Sequence, residues 1–484
     1  MSLTTQPFDD DHLHEECAVF GIFTHQEASA HTALGLHALQ HRGQEAAGIV
    51  SLDDKQFHAH RDIGLVGDIF SKQAVMRRLP GTAAIGHTRY STTGEPMLRN
   101  VQPLFADLDF GGLAIAHNGN LTNALTTRRE LVSNGCIFQS TTDTEIITHL
   151  MATSRGTIVE RLISALRALE GAYSLVVLTK DGLMGVRDPR GVRPLVLGKL
   201  DDTYMLASES CAFDIIGATT IRDVEPGELI VISENGLESH YPFPKQDQRF
   251  CVFEYIYFAK PDSVVDGKSV YQARKRIGCE LANEAPVDAD VVVPVPDSGV
   301  PAAIGYAVEA GIPYEIGIIR NHYVGRTFIE PSAEIRNFGV RLKHNANRAI
   351  LKGKRIILVD DSIVRGTTSK KIVEMVRAAG AEEVHMRISS PPTTNPCFYG
   401  VDTPDQDQLL AAKLTVDEIC KEIAADSLAF ISIDGLYRAM NEAQRNNNNP
   451  QFCDACFSGD YPIRLTDRQS GDAPKQLSLL VESA

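Results

Sequence analysis

The stretch VDDSIVRGTTS, residues 359–369, decides the fold of the part of the chain that contains it. It completes a run of aliphatic, mostly β-branched residues that begins after Arg355, and such runs are typical of parallel strands covered on both faces. Two acidic residues end the predicted strand, and a loop with Gly366 leads into hydroxyl residues able to cap a helix. This strand–loop–helix order predicts an open α/β sheet with a ligand site at the carboxyl end of the strand.

The loop has the chemistry of an anion site. A helix N-terminus presents backbone N–H groups and the positive end of the helix dipole to a phosphate, and Gly366 lets the backbone approach a ligand closely. The adjacent carboxylates Asp360 and Asp361 suit a vicinal diol, or a magnesium ion bound to that diol. On residue types alone, an ordinary strand–helix junction with capping residues is the alternative.

The complete stretch resembles the phosphoribosyl pyrophosphate (PRPP) signature of type I phosphoribosyltransferases. The segment Pro296–Gly299 is similar to that family's pyrophosphate-side loop, and the segment 320–328 is similar to its flexible catalytic loop, which closes over the substrate and excludes water. Among the matching positions, those expected to hold magnesium are Ser298, Asp360 and Asp361. The resemblance implies PRPP binding by Asp360, Asp361, Ser362, Arg365, Gly366, Thr367, Thr368 and, in the flexible loop, Arg326.

Length and composition limit the number of domains and the classes of function that the chain can have. A chain of 484 residues is too long for one compact core and predicts two domains. The formal net charge of -15 argues against nonspecific binding to nucleic acid, which requires clustered Lys and Arg. No apolar run approaches the ~20 residues that span a membrane. The first residues lack the features of a secretory signal or a transit peptide, so we expect a cytoplasmic protein.

Residues up to about 245 show a different pattern. Short apolar strands alternate with Gly- and Asn-rich turns, and helical periodicity occurs at 29–40 and 158–169, which predicts an α+β unit with stacked sheets. The Pro-rich, polar segment 240–248 is the candidate domain boundary. Beyond it, strands at 290–295 and 355–359 each precede a helical stretch, at 301–310 and 369–379. From Thr466 onward periodicity is weak, and we expect a partly disordered tail, 466–484.

Five short motifs before residue 245 resemble, in their order, the glutaminase domain of N-terminal-nucleophile amidotransferases. The resemblance implies a four-layered αββα sandwich in which the Cys17 thiol attacks the side-chain amide of glutamine. Asn118 and the Gly119 N–H would form the oxyanion hole, Arg89 would bind the α-carboxylate, and Asp143 would bind the α-ammonium group. His41 and His87 are expected to be structural. The motifs begin at Cys17, His41, Gly86, Ala116 and Thr142.

The position of Cys17 implies a maturation step. A terminal thiol can be activated by its own α-amine, whose pKa near ~8 suits a general base. That amine is unavailable while it forms the peptide bond to Glu16, so residues 1–16 are predicted to be a propeptide removed by self-cleavage. The alternatives are that translation starts elsewhere or that Cys17 is not catalytic.

Four of the nine cysteines form a second pattern. Cys453 and Cys456 make a C-x-x-C pair that, alone, is compatible with redox activity, zinc binding or coincidence. Together with the contexts of Cys251 and Cys397, the pair resembles the iron–sulfur class of glutamine PRPP amidotransferases. The resemblance implies a structural [4Fe–4S] cluster on the four thiolates, with structural zinc as the rival. Packing roles are expected for the others with no such context: Cys136, Cys211, Cys279 and Cys420.

The resemblance covers roughly residues 17–465 and implies a glutaminase domain, 17–245, followed by a phosphoribosyltransferase domain, 246–465. It implies the first committed step of purine synthesis, magnesium as cofactor, purine nucleotides as feedback inhibitors and a homotetramer. Two alternative functions share part of this pattern. An amidotransferase with a sugar-isomerase half would not carry VDDSIVRGTTS, and a PRPP-sensing regulator has no evident need for a glutaminase. Glutamate release that depends on glutamine and PRPP separates these hypotheses.

Overall fold

The computed structural model describes residues 14–15, 17–54, 56–90, 97–321 and 344–469. The first half of the chain forms two antiparallel sheets. The first sheet has seven strands, with Cys17–Phe23 paired to Ala83–Arg89 near its middle. In spatial order its strands are Thr219–Asp223, Val196–Leu200, Thr203–Ala207, Cys17–Phe23, Ala83–Arg89, Ala46–Asp53 and Gln56–Ile63.

The second sheet has six strands and packs face to face on the first. Val19 and Ile85 from the first sheet share an apolar cluster with Ala116 and Val176 from the second, as expected for a sheet sandwich. Its strands, in spatial order, are Gly236–His240, Leu229–Ser233, Gly182–Arg187, Gly171–Thr179, Gly111–Leu121 and Leu104–Leu108.

Helices cover the outer faces of both sheets. Ala28–Ala38 packs through Leu36 onto the first sheet, whereas Thr144–Thr153 and Ile158–Arg167 pack onto the second. The predicted αββα sandwich is therefore confirmed. The other helices of this half are Val66–Phe70, Gln73–Met76, Ala124–Ser133 and Cys211–Asp214.

The second half contains a four-stranded parallel sheet, ordered Val291–Pro294, Arg355–Asp360, Glu383–Ile388 and Ser427–Phe430. Helices Val270–Glu284 and Val300–Ala310 cover one face, and Thr367–Ala378 covers the other. This is the predicted α/β arrangement. Other α-helices among the described residues are Arg348–Leu351, Val416–Glu422, Ile433–Ala439, Ala455–Ser458 and Thr466–Gln469, with a π-helix at Glu254–Phe258.

Four short strand pairs complete the fold. Their strands are His14–Glu15 with Val401–Asp402, Phe250–Cys251 with Phe452–Cys453, Val264–Val265 with Lys268–Ser269, and Ile318–Arg320 with His344–Ala346.

The start of the predicted tail is ordered where it is described. Thr466–Gln469 forms a helical turn, and the Asp467 carboxylate accepts hydrogen bonds from the backbone N–H groups of Leu125 and Thr126, at 2.8 and 3.0 Å. These four residues are ordered because a carboxylate at a helix N-terminus supplies a specific anchor, and the partial disorder expected for 466–484 stays a prediction. Residues 470–484 lie outside the described residues. In the described part of the chain, no helix has both the length and the apolar character to cross a membrane.

Candidate active sites

Cys17 is the first residue of a central strand in the first sheet. In the antiparallel register it lies directly opposite Arg89, and both residues are buried. The Arg89 guanidinium donates a hydrogen bond to the Asn100 carbonyl. The predicted nucleophile and the predicted carboxylate clamp are therefore brought together by strand pairing, although their positions in the sequence are far apart.

Asn118 and Gly119 lie on the strand Gly111–Leu121 of the second sheet, which contacts the Cys17–Phe23 strand across the sandwich. The Asn118 side chain is fully buried, and neither of its polar atoms has a hydrogen-bond partner within the described residues. Gly119 has φ +138°, and a Cβ there would lie 2.1 Å from the Ala172 carbonyl oxygen. Only glycine fits this backbone position.

Asp143 closes the same region from the start of the helix Thr144–Thr153. Its carboxylate accepts a hydrogen bond from the Leu121 backbone N–H at 3.0 Å and lies 3.5 Å from His117 Nδ1. Burial would raise the pKa of Asp143, but His117 and the hydrogen bonds from its neighbours hold that pKa below its ordinary value. Asp143 therefore stays an anion, as a binding partner for an ammonium group must.

The two motif histidines have structural partners. His87 Nε2 lies 3.1 Å from the His117 carbonyl oxygen and so ties the two sheets together beside the site. Burial lowers the pKa of His87 to about 3, and Arg89 adds to the effect, so the ring is neutral. His41 Nε2 lies 2.7 Å from Glu209 Oε1.

Sequence reasoning missed the polar residues that connect these parts. Asn100 bonds Thr141 in both directions, at 2.9 and 3.0 Å, and Gln102 Oε1 accepts from the His117 N–H at 2.8 Å. Both lie on the irregular stretch between the strand carrying Arg89 and the strand carrying Asn118. No local motif marks them, because their partners come from distant parts of the chain.

The two predicted phosphate loops also meet. The strands before them are paired in parallel, Pro294 opposite Val359, so Ser298 and Asp360 follow the carboxyl ends of neighbouring strands. A Cβ on Gly299 would lie 2.3 Å from the Val359 carbonyl oxygen, which shows how closely the first loop approaches the second.

The VDDSIVRGTTS loop ends at the helix Thr367–Ala378, with Gly366 in the left-handed conformation at φ +79° as its N-cap residue. Asp360 and Asp361 are buried. Asp361 N–H donates to Asp360 Oδ1 at 2.9 Å, and Ser362 Oγ donates to Asp361 Oδ1 at 2.6 Å. Arg365 and Thr367 stand on the accessible side of the loop, with Thr368 buried beneath.

The two acids and Ser298 offer hard oxygen ligands of the kind magnesium prefers. A buried cation balances the acids: Asp361 raises the pKa of Arg274, although burial has the larger effect and lowers it to about 10. Arg326 and most of the predicted flexible loop, from 322 onward, lie outside the described residues. Its first residue, Arg320, forms an ion pair with Asp297.

Cys251, Cys397, Cys453 and Cys456 lie near one another in the second half of the chain. Cys251 and Cys453 are opposite one another in a parallel strand pair, and Cys397 is close enough to raise the pKa of each of the other three thiols. Burial raises the pKa of Cys251 to about 12 and raises that of Cys453 well above its ordinary value, and proximity to other thiols of the set reinforces both effects. Among the described residues, no group of three or more His, Cys, Asp or Glu is arranged to hold a single metal ion.

The other four cysteines lie apart from this set. Cys211 is buried beside Glu209, and burial and that carboxylate raise its pKa. Cys136, Cys279 and Cys420 are half-buried.

Comparison with known proteins agrees with this two-site arrangement. A family model described as a glutamine amidotransferase domain matches residues 87–214, and one described as a phosphoribosyl transferase domain matches residues 262–389. The amidophosphoribosyltransferase of Rhizobium etli is 59% identical over 487 residues, covering 99% of this chain and 98% of the relative. That of Bacillus subtilis is 49% identical, covering 94% of this chain and 95% of the relative.

A solved structure shows the same likeness in three dimensions. The glutamine PRPP amidotransferase from B. subtilis, complexed with ADP and GMP, has a TM-score of 0.88 and 48% sequence identity. The match covers 93% of this chain and 98% of that chain. Both halves and their order are therefore shared, and the chain belongs to the amidophosphoribosyltransferase family.

Proposed function

We propose that the two sites act in sequence as a glutamine-dependent amidotransferase on PRPP. Glutamine, PRPP and water give 5-phosphoribosylamine, glutamate and pyrophosphate, the first committed step of purine biosynthesis. One observation supports the proposal most strongly. The same chain contains both the Cys17–Arg89 strand pair and the VDDSIVRGTTS loop at the end of a parallel sheet. We assign residues 17–245 to the glutaminase domain and 246–465 to the phosphoribosyltransferase domain.

The glutaminase half works through a covalent intermediate. The Cys17 thiolate attacks the side-chain amide carbon of glutamine, the α-amine of mature Cys17 carries the proton to the departing ammonia, and water hydrolyses the glutamyl thioester to glutamate. Asn118 Nδ2 and the Gly119 N–H stabilise the oxyanion, since the buried amide of Asn118 has no competing partner among the described residues. Arg89 and Asp143 bind the two charged groups of the amino acid.

The phosphoribosyltransferase half receives the ammonia. Backbone N–H groups and hydroxyls of residues 362–368 bind the 5-phosphate at the helix N-terminus, while Asp360 and Asp361 bind the ribose diol. Ammonia displaces pyrophosphate from C1 with inversion. Magnesium held by Ser298, Asp360, Asp361 and the substrate would supply the positive charge that stabilises the leaving group. Arg326 in the segment 320–328 would complete the PRPP contacts.

Coupling between the sites gives the direct test. Purified enzyme with glutamine should release glutamate rapidly only when PRPP is present, and Cys17→Ser should abolish that release. In the same variant, ammonium chloride with PRPP should still yield 5-phosphoribosylamine, because the second site is intact. Full glutamate release without PRPP would contradict the coupling, and none under any condition would favour a PRPP sensor.

The four clustered thiols are proposed to hold a [4Fe–4S] cluster, and their chemistry fits it. Buried thiols that raise one another's pKa are costly as free thiolates and are stabilised by a cationic cluster. The Tyr399 N–H donates to Cys397 Sγ at 3.3 Å, a bond of the kind that tunes cluster sulfurs. A cluster takes each thiolate at a different iron and so needs a wider spacing than the single zinc ion of the rival proposal. Its role is structural, because the reaction transfers no electrons.

Maturation and cluster are tested together by intact mass and metal analysis of anaerobically purified protein. We expect a chain that begins at Cys17, a brown colour and four irons per chain. An active enzyme that still begins at Met1 or Ser2 would refute the propeptide of residues 1–16. A colourless protein that contains stoichiometric zinc would refute the iron–sulfur cluster and support a structural zinc site on the same thiols.

Regulation and assembly follow the family. The B. subtilis relative was solved with ADP and GMP, and purine nucleotides carry the same ribose 5-phosphate as PRPP, so they are the proposed feedback inhibitors. Nucleotide titration against PRPP concentration checks whether they compete at the loop. The proposed assembly is a homotetramer in the cytoplasm, and light scattering of the mature protein measures its mass.

A further inference from the structure

A short segment of the second half, Phe398–Asp402, enters the glutaminase site. Asn120 Nδ2 donates to the Phe398 carbonyl oxygen at 2.9 Å. Gly400 has φ +104° and packs on the oxyanion-hole glycine: a Cβ on Gly400 would lie 2.9 Å from the Gly119 Cα and 3.2 Å from its carbonyl carbon. The backbone of one half therefore contacts the backbone that stabilises the oxyanion in the other.

The same segment pairs with the residues that precede Cys17. Val401 lies opposite Glu15 and Asp402 opposite His14 in antiparallel register. Strand pairing is described at His14–Glu15 and from Cys17 onward, and Glu16 itself lies outside the described residues. The bond to be cut in maturation is therefore bracketed on both sides by sheet pairing.

The segment is itself held firmly. The Cys397 N–H donates to Thr403 Oγ1 at 2.7 Å, which closes the turn around it. The Tyr399 hydroxyl donates to the Ile463 carbonyl oxygen at 2.6 Å, and Tyr399 is buried. Because this backbone is held at both ends, it can fix the positions of the backbone segments that contact it.

We propose that Phe398–Asp402 is a positioning strand for both reactions at Cys17. During maturation it presents the Glu16–Cys17 peptide: the Cys17 thiol attacks the Glu16 carbonyl carbon, the C–N bond breaks, and the nitrogen takes a proton to become the α-amine. Water then hydrolyses the thioester and releases residues 1–16 with a carboxylate at Glu16. In the mature enzyme the contact of Gly400 with Gly119 fixes the oxyanion-hole N–H. This inference rests on the proposed roles of Cys17 and the propeptide.

The maturation arm is tested by variants whose altered residue leaves with the propeptide. His14→Pro and Glu15→Pro are made singly, because neighbouring positions of an antiparallel ladder differ in their hydrogen bonds and proline removes the N–H. The fraction of chain beginning at Cys17 is followed by intact mass after a pulse of synthesis. We expect one or both to slow maturation at least about tenfold relative to the control Thr5→Pro, while the mature product has wild-type kcat. Maturation at the control rate in both variants would overturn this arm.

The oxyanion arm uses a chain that starts Met–Cys17, so that removal of the initiator methionine replaces self-cleavage. In this chain, Gly400→Ala should lower glutaminase kcat at least about tenfold with little change in the KM for glutamine. The reason is that the oxyanion forms in the transition state and is absent from bound glutamine. The matched control is Gly311→Ala, which has φ +66° but no atom within 4 Å of the added Cβ. Equal kcat values in the two variants would overturn the arm.

Further measurements separate positioning from damage. Iron content and ammonia-dependent synthesis of 5-phosphoribosylamine should match wild type in Gly400→Ala. If they fall, the deciding variant is Asn120→Ala, which deletes only the bond to Phe398: a lowered kcat supports the proposal and an unchanged one overturns it. Cys17→Ser in the same background must abolish glutaminase activity; if it does not, the proposed function fails rather than the positioning strand.

Discussion

Asn118 is the side chain at which burial and missing partners point most directly to chemistry. An amide buried without hydrogen bonds costs roughly 1–3 kcal/mol, so the fold keeps it for a partner that arrives with the substrate. We expect Asn118→Ala to lower glutaminase kcat about 100-fold and to leave the KM for glutamine nearly unchanged. Steady-state glutamate release with PRPP present measures both constants.

The control is Asn123→Ala, at the N-cap of the helix that follows the Asn118 strand. Asn123 is buried too, but it is fully engaged, donating to the Ala168 carbonyl at 2.9 Å and accepting from the Glu170 N–H at 3.0 Å. That variant should lose stability and keep its kcat. If both variants lost kcat equally, the effect would be distortion, and the oxyanion role of Asn118 would be refuted.

His87 gives the protein a specific pH dependence of stability. Its pKa falls from 6.5 to about 3 on folding, so between these values the unfolded chain binds a proton that the folded chain does not, and stability falls as pH falls below 6.5. The loss attributable to His87 between pH about 7.5 and about 5.5 is about 1.4 kcal/mol.

Urea unfolding of wild type and His87→Gln at the two pH values isolates this contribution. Gln keeps a donor toward the His117 carbonyl and removes the titration, so its pH-dependent loss should be smaller by about 1.4 kcal/mol. Parallel losses in the two proteins would show that His87 does not titrate as a buried neutral ring.

At the scale of elements, local pattern placed the helices and strands for which it predicted bounds to within a few residues. The helix expected at 158–169 is Ile158–Arg167, fixed by a capping box between Thr157 and Glu160, and the strand expected at 355–359 is Arg355–Asp360. The helical turn Thr466–Gln469 had no local signal, because four residues that anchor through one carboxylate have no periodicity to detect. The π-helix at Glu254–Phe258 also lacked a local signal, since buried Arg274 from another helix binds its carbonyl groups.

The Asp467 cap links the C-terminal turn to the glutaminase helix Ala124–Ser133. Removing the carboxylate in Asp467→Ala should destabilise that helix by about 1 kcal/mol, whereas Asp467→Asn, which keeps an acceptor, should cost a few tenths. Hydrogen exchange at the Leu125 and Thr126 amides reports the loss site by site. Thr157→Ala, which removes a cap within one domain, is the control and should leave those two amides protected. Unchanged exchange in Asp467→Ala would refute the cap.

At the scale of the whole molecule, buried charges join the two halves. The Arg42 guanidinium donates to Glu254 Oε1 at 2.8 Å and also pairs with Glu209, while Arg193 donates to Glu254 Oε1 at 3.0 Å. Burial opposes the charge of Arg42, but Glu254 and Glu209 raise its pKa. No sequence motif could reveal this network, because Arg42 and Glu254 are separated by 212 residues and meet only when the interface forms.

Glu254 is the centre of that network, so its loss should weaken the whole molecule rather than one domain. Glu254→Gln removes the carboxylate that Arg42 and Arg193, both with fully buried side chains, share, and breaking a buried pair from one side costs about 3–5 kcal/mol. Urea unfolding of the mature protein should shift to lower concentration when followed by circular dichroism and by loss of iron alike. The control Asp109→Asn breaks the pair with Arg161, where Asp109 is 67% exposed, and should cost under about 1 kcal/mol. Unfolding of both variants at the same urea concentration would mean that the buried charges do not hold the halves together.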